Sequence, residues 1–182
     1  MKTIIISIRP EWARHILNGD KTIEIRRGLS LCNALKKAEE KGEDVEFLMY
    51  VTKDKNHLLK ECSNDRLGRW FAAIAPNHKD SIPGLVETGE PLNGKIVALF
   101  KPKAEVIFVE GFGIAYRTKN TAPSNLRFES CLSHEHIDAY LQRKPGTALH
   151  IRSLGTFNEP KTLADYGLKR APVSWCYAKE AR

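Results

Sequence analysis

The sequence predicts an α+β fold, a mixed and partly closed β-barrel of five or six strands with short peripheral helices. Three observations lead to it. Apolar runs of strand length recur along the chain, short amphipathic stretches end at glycine or proline, and the two kinds of element do not alternate regularly as they do in a doubly wound sheet. At 182 residues the chain is expected to form one domain, 1–182, although two small lobes also fit this length.

The N-terminal segment predicts a strand, a helix and a second strand. Residues 3–8 are β-branched and continuously apolar, which indicates a buried strand. Residues 11–18 place their apolar side chains on one stripe and are followed by Gly19, as is typical of a short amphipathic helix. From 21 to 27 the apolar period becomes two, which favours a half-buried strand.

The later elements are predicted from the same signals. They are a helix at 29–41, a strand at 45–52, short helices at 57–62 and 65–74, a loop at 75–91, strands at 95–100 and 104–110, a polar segment at 111–130, a helix at 134–142 with Ser133 as its N-cap, a strand at 147–157, a helical turn at 161–167 and a last strand around Trp175, Cys176 and Tyr177.

Composition indicates a folded, basic protein. Apolar residues make up 42% and charged residues 28% of the chain, far from the composition of disordered proteins. Lys and Arg outnumber Asp and Glu by 29 to 22, which gives a formal charge of +7. This balance favours a polyanionic partner such as nucleic acid, but charges that only keep the protein soluble would give the same count.

Cysteine usage and hydropathy point to a reducing, cytoplasmic setting. The four cysteines are scattered and form no CxxC pair, so reduced thiols are expected rather than a zinc site, although their even number permits two disulfides. No apolar run approaches the roughly 20 residues that a membrane-spanning helix needs. No signal peptide, metal site, cofactor motif or membrane association is therefore expected.

The run G-D-K-T-I-E-I-R, from Gly19 to Arg26, is the most informative local feature. Strand parity places Glu24 and Arg26 on the same face, about 6 to 7 Å apart along the strand, where a carboxylate can orient a guanidinium. Lys21 lies at the strand start and can turn toward them. Such a set can bind a phosphate or a base edge, and the simpler alternative is a surface strand with an ordinary salt bridge.

These residues match a family signature. Gly19, Lys21, Glu24 and Arg26 fit the G-x-K-x-x-E-x-R pattern of ASCH domains, which are PUA-like β-barrels. The opening I-I-I-S-I-R-P-E-W-A-R-H-I-L-N resembles the strand and helix that precede this motif in the family, and the closing A-P-V-S-W-C-Y is similar to its last strand. Residues 28–44 and 53–93 are then expected to be insertions into the family core.

The resemblance implies an RNA- or nucleotide-binding module with a basic groove lined by Lys21, Glu24 and Arg26. Four further residues are expected to contact phosphates, namely Arg9, Arg117, Lys169 and Arg170. Lys169 and Arg170 are equally well explained as a pair of solvated surface charges. Protein partners are not predicted.

Enzymatic activity is left open. Some family members deacylate a modified cytidine, and nuclease activity has been attributed to others, so the alternative is a hydrolase of RNA or of a modified nucleoside with Lys21 and Glu24 as its acid–base pair. The deacylating members carry a threonine where this chain has Glu24, which favours binding over that chemistry. A protein-interaction scaffold that binds no ligand is a third alternative.

Three other patterns each have a functional interpretation and a simpler structural one. The two histidines of Ser133–His136 are two residues apart, which suits an exposed helix start better than a metal site. Residues 66–71 interleave cations with aromatics as single-strand binders do, but the helical spacing of Trp70, Phe71 and Ile74 favours a core role. Arg117 and Phe128 lie in the polar segment 111–130, a candidate clamp.

Overall fold

The computed structural model describes residues 1–64, 68–76, 86–110 and 115–179. The helices there are α1 Pro10–Leu17, α2 Ser30–Glu40, α3 Pro123–Ser130 and α4 His134–Leu141. The strands there are β1 Lys2–Ile8, β2 Ile23–Arg27, β3 Val45–Val51, β4 Leu58–Asn64, β5 Gly68–Ile74, β6 Val86–Thr88, β7 Ile96–Glu110, β8 Ala115–Arg117, β9 Gly146–Lys161 and β10 Trp175–Tyr177.

The fold is mixed α+β, as predicted, with a curled, half-barrel main sheet. Six strands of this sheet follow one another in the order β10-β1-β3-β7-β9-β2, and β8 pairs with β7 beside this path. A second sheet has the order β5-β4-β6. In the described part of the chain, no helix is long and apolar enough to cross a membrane.

The chain divides into two compact units. Unit 1 contains Asp20–Val45 and Lys101–Ser153 together with Met1, and unit 2 contains Lys2–Gly19, Glu46–Phe100 and Leu154–Arg182. The long strands β7 and β9 each contribute residues to both units.

The core of unit 1 is built on one face of β2. Ile23 and Ile25 are buried there, because a period of two gives the strand one apolar face. Helices α3 and α4 cover this face through Leu126, Ile137 and Leu141. In the antiparallel β2–β9 pair, Glu24 lies opposite Leu149 and Arg26 opposite Thr147, so both charged residues belong to the other face.

The core of unit 2 surrounds β1 and β3. Ile5, Leu48, Tyr50 and Ile96 are buried in it. The predicted last strand is confirmed as β10, which pairs antiparallel to β1 with Cys176 opposite Ile5. The four cysteines, Cys32, Cys62, Cys131 and Cys176, are present as thiols.

The helices predicted at 57–62 and 65–74 are wrong, because these segments form the antiparallel hairpin strands β4 and β5. Residues 65–67 lie outside the described part of the chain. The helical spacing of Trp70, Phe71 and Ile74 favours a helix, but in β5 Phe71 is buried while Trp70 and Ile74 are half-buried. Asn18 fixes this strand to the end of α1, since its side chain accepts from the Phe71 N–H and donates to the Phe71 carbonyl, both at 2.9 Å.

Further differences concern loops and ends. The strands predicted at 95–100 and 104–110 form the single strand β7, because Pro102 does not interrupt the extended backbone. The segment 111–130 contains β8 and α3, and the segment 75–91 contains β6, while 111–114 and 77–85 lie outside the described residues. The predicted N-cap is confirmed, since the Ser133 hydroxyl accepts from the His136 N–H at 3.3 Å.

We expect Gly146→Ala to destabilise unit 1. A Cβ at Gly146 would lie 2.7 Å from Leu141 Cδ2 and 2.9 Å from the Arg26 carbonyl oxygen, closer than packed atoms allow. Overpacking of this kind lowers the free energy of unfolding by about 1–3 kcal/mol, which urea denaturation will measure. Gly155→Ala in the same strand is the matched control, because its Cβ would meet no atom closer than Leu99 Cγ at 3.9 Å. Equal stability of the two variants would contradict this packing.

Candidate functional site

Helix α3 ends next to the strand that carries the charged motif. The residue after the helix, Cys131, has a φ of 53°, in the left-handed region. The Cys131 N–H donates to the Phe128 carbonyl at 3.1 Å, and the Leu132 N–H donates to the Arg127 carbonyl at 3.2 Å. This is the Schellman arrangement, which closes a helix by turning the chain back over its last turn. It satisfies two of the carbonyls that the helix leaves exposed at its end.

The remaining two carbonyls are satisfied by the residues that begin the motif strand. The Thr22 N–H donates to the Glu129 carbonyl at 2.9 Å, and the Lys21 ammonium Nζ donates to the Ser130 carbonyl at 2.6 Å. A cation at a helix C-terminus also interacts favourably with the helix dipole. Lys21 therefore caps α3, and this contact joins the motif to a helix more than 100 residues away in sequence.

Glu24 lies between two cations. Its Oε2 is 3.3 Å from Lys21 Nζ, and its Oε1 is 3.1 Å from Arg26 Nη2. The three side chains are only 1%, 10% and 11% exposed for Lys21, Glu24 and Arg26, respectively. The alternative of an ordinary surface salt bridge therefore does not describe them. We call these residues the ionic trio.

Burial lowers the pKa of Lys21 below its usual value of 10.5. The Glu24 carboxylate opposes this effect, because its charge and hydrogen bond favour the ammonium, while Arg26 adds to it. The outcome is an amine that gives up its proton more readily than an exposed lysine does. Its chemistry includes hydrogen-bond donation when charged and proton acceptance when neutral.

The other residues predicted to contact nucleic acid are distributed over both units. Arg117 ends β8 in unit 1, where it is exposed and where β8 packs against α3. Arg9 belongs to unit 2 and is 3.8 Å from the Glu11 carboxylate, with 70% of its side chain exposed. Lys169 and Arg170 are also exposed and belong to unit 2. The structure thus brings Lys21, Glu24 and Arg26 into direct contact, and the other four are surface cations.

Sequence reasoning missed a second polar cluster in unit 1. The Glu105 carboxylate on β7 accepts from the Thr118 hydroxyl at 2.5 Å and from Asn120 Nδ2 at 2.7 Å, and it lies 3.7 Å from His150 Nε2. Burial by itself raises the pKa of Glu105, but these hydrogen bonds, with the charges of His150 and Lys103, hold it below its usual value. No local pattern indicates the cluster, because its members come from separate segments.

One group of side chains has the composition of a cation site. Among the described residues, Glu11, Asp54 and His57 offer ligand atoms that lie within 4.8 Å of one another. His57 Nδ1 is 3.4 Å from Glu11 Oε2, and Asp54 Oδ1 accepts the His57 N–H at 3.2 Å. Ion pairing and a local turn account for these contacts without a metal ion. Of the two histidines at the start of α4, His136 contacts the N-cap, with its Nδ1 2.9 Å from the Ser133 hydroxyl, and His134 contacts the Tyr116 ring.

Comparison with solved structures identifies the fold. The chain resembles the crystal structure of ASCH from Zymomonas mobilis, with a TM-score of 0.56 over 98% of this chain and 89% of that one, at 16% sequence identity. The fold is that of an ASCH domain. A serine-to-alanine variant of the Zymomonas mobilis protein gives a TM-score of 0.52 over 98% of this chain and 89% of that one, at 15% identity. A tyrosine-to-phenylalanine variant gives 0.55 over 99% and 92%, also at 15% identity.

At the level of sequence, no family model matches the chain and no curated protein matches it. The ASCH likeness therefore rests on the three-dimensional arrangement, and at this identity it establishes the fold. In this ASCH fold, Glu24 and Arg26 of the ionic trio lie on β2, at one end of the main sheet path, and Lys21 lies just before this strand.

We expect Lys21 to titrate below the exposed lysines. Because its folded-state pKa lies under 10.5, the unfolded chain binds this proton more tightly, so the Lys21 contribution to the free energy of unfolding rises with pH from the folded pKa up to about 10.5. NMR titration of ¹³Cε-labelled lysine side chains measures the midpoint directly. In Glu24→Gln the midpoint should fall further, since the carboxylate that raises it is gone. A Lys21 midpoint at or above 10.5 would contradict the burial argument.

Proposed function

We propose that this ASCH-fold protein is an RNA- or nucleotide-binding module whose basic groove is lined by Lys21, Glu24 and Arg26. The observation that carries the proposal is the burial of this ionic trio within one short segment, at and just before β2. Removing three charged groups from water is costly, and buried ion pairs seldom stabilise a fold more than apolar residues of the same volume would. Their concentration at one place is typical of a functional site.

The trio suits recognition of a phosphate or of a base edge. Glu24 holds the Arg26 guanidinium at 3.1 Å, so the planar fork keeps a fixed orientation instead of sampling many rotamers. Arginine in such a position donates to phosphate oxygens or to the acceptor edge of a base. The net charge of the trio is +1 while Lys21 is protonated, which matches an anionic ligand.

The surface cations support the same proposal through long-range attraction. The chain carries a formal charge of +7, and Arg9, Arg117, Lys169 and Arg170 are proposed as contacts to the phosphate backbone. Contacts of this kind are independent of base sequence and weaken as salt rises, because bound counterions are released when the protein neutralises phosphates.

We expect single-stranded RNA to bind with an affinity that falls as salt rises. Fluorescence anisotropy with a labelled oligonucleotide, measured at several salt concentrations, gives the slope of log K against log salt. The double variant Lys169→Gln with Arg170→Gln should reduce this slope by about 0.7 for each phosphate that the protein no longer neutralises.

The double variant Lys36→Gln with Lys37→Gln is the matched control for this experiment. It removes the same charge from two adjacent exposed residues of α2, which the proposal does not place at the RNA. Equal slopes in the two double variants would remove Lys169 and Arg170 from the interface. A wild-type protein that binds no RNA, or binds it without salt dependence, would refute the proposed function.

A hydrolase is the second candidate, and the lowered pKa of Lys21 beside Glu24 is the observation that favours it. In this alternative the neutral amine accepts a proton from an attacking water, and Glu24 holds the resulting ammonium. The reaction class is hydrolysis of an RNA backbone or of a modified nucleoside.

Turnover of a panel of RNAs and modified nucleosides tests this second candidate. Glu24→Gln should abolish the turnover while the far-ultraviolet circular dichroism stays native. Lys21→Ala is less informative, because it also removes the cap of α3. If the wild type turns over none of these substrates, the protein is a binding module without this chemistry.

A further inference from the structure

Helix α3 is bonded to the residues just before β2 and helix α4 to the last residue of β2, and each helix places an aromatic residue on the surface of unit 1. The last turn of α3 is fixed by Lys21 and Thr22, as described above. The last turn of α4 is fixed at the other end of the strand, where Arg27 Nε donates to the Tyr140 carbonyl at 2.9 Å. The exposed faces of both helices are therefore held rigidly relative to the motif strand.

Phe128 is the exposed aromatic residue of α3. Its side chain is 83% exposed, whereas Leu126 of the same helix is fully buried in the unit 1 core. The exposed residue Arg127 precedes it, so a cation and an open ring occupy adjacent positions. Phe128 helps to end α3 through its backbone carbonyl, which accepts a hydrogen bond from the Cys131 N–H. The fold therefore does not need the Phe128 ring.

The Tyr140 side chain of α4 forms a stack with Arg27. The guanidinium carbon lies 5.2 Å from the centroid of the Tyr140 ring, within the range of a cation–π contact. With its Nε bonded to the Tyr140 carbonyl, Arg27 is fixed as an exposed plane backed by a ring. Guanidinium planes and aromatic rings are the two side-chain surfaces on which unpaired RNA bases stack.

We propose that Phe128 and the Arg27–Tyr140 pair are stacking platforms for the bases of single-stranded RNA. The inference rests on the proposed function and deepens it, because it names unpaired nucleotides as the ligand class. Charge complementarity argues for a nucleic acid as the occupant, since Arg27 and Arg127 accompany the two aromatic rings in a protein of charge +7. Bases in a duplex already stack on one another, so these platforms favour single strands over double strands.

Stacking leaves a signature that phosphate contacts do not. Phe128→Leu keeps the charge, the helix preference and most of the apolar surface but removes the ring, so binding should weaken by roughly 5- to 100-fold. The slope of affinity against salt should stay unchanged, because the protein still neutralises the same phosphates. Arg27→Lys should behave in the same way, since lysine keeps the charge and lacks the plane. Phe128→Tyr, which keeps a ring, should bind like wild type.

Anisotropy titrations with three ligands of equal length test the proposal: a single-stranded RNA, its duplex and an abasic strand. The wild type should prefer the single strand, and Phe128→Leu should show a smaller difference between the single strand and the abasic strand, because only the Arg27–Tyr140 platform remains. Tyr177→Leu, a change at an aromatic residue of β10 that is 46% exposed, is the control and should have no effect.

The outcomes separate the two proposals. If the wild type binds none of the three ligands, the proposed function itself fails. If it binds with salt dependence and Phe128→Leu and Arg27→Lys match it on every ligand, the stacking platforms are refuted while the RNA-binding function stands.

Discussion

The contact between the Lys21 ammonium and the C-terminal end of α3 organises unit 1. Without it the buried Ser130 carbonyl would lose the donor that Lys21 supplies, and the buried Lys21 ammonium would lose one of its partners. The same contact, together with the bond from the Thr22 N–H to the Glu129 carbonyl, holds the segment just before β2 against the end of α3. The ionic trio and a helix that covers the apolar face of β2 are thus joined by hydrogen bonds between distant segments.

The alternation of side chains along β2 gives this strand one apolar face and one charged face. Ile23 and Ile25 bury their side chains under α3 and α4, while Glu24 and Arg26 occupy the opposite face. A slip of one residue in the pairing with β9 would exchange the two faces, exposing the isoleucines and placing two charges in the apolar core. The close approach at Gly146 helps to prevent this slip, since a larger residue there would displace β2.

In the ionic trio, one carboxylate lies between two cations. One carboxylate oxygen of Glu24 lies next to Lys21 and the other lies next to Arg26, which offsets part of the free-energy cost of burying the two cations. Burial still keeps the Lys21 pKa below its usual value, because the single carboxylate is divided between two cations and Arg26 repels the ammonium.

The sequence by itself determined those features that depend on local period and residue type. The alternation from 21 to 27, the Gly19 to Arg26 motif, the Ser133 cap and the fold class all follow from residues close together in the chain. Only the tertiary structure decided that 57–62 and 68–74 are paired strands, that Lys21 caps α3, and that Glu105 and His150 meet. The physical reason is that strand pairing and the solvation of a buried charge depend on partners from distant segments, whose positions no local pattern encodes.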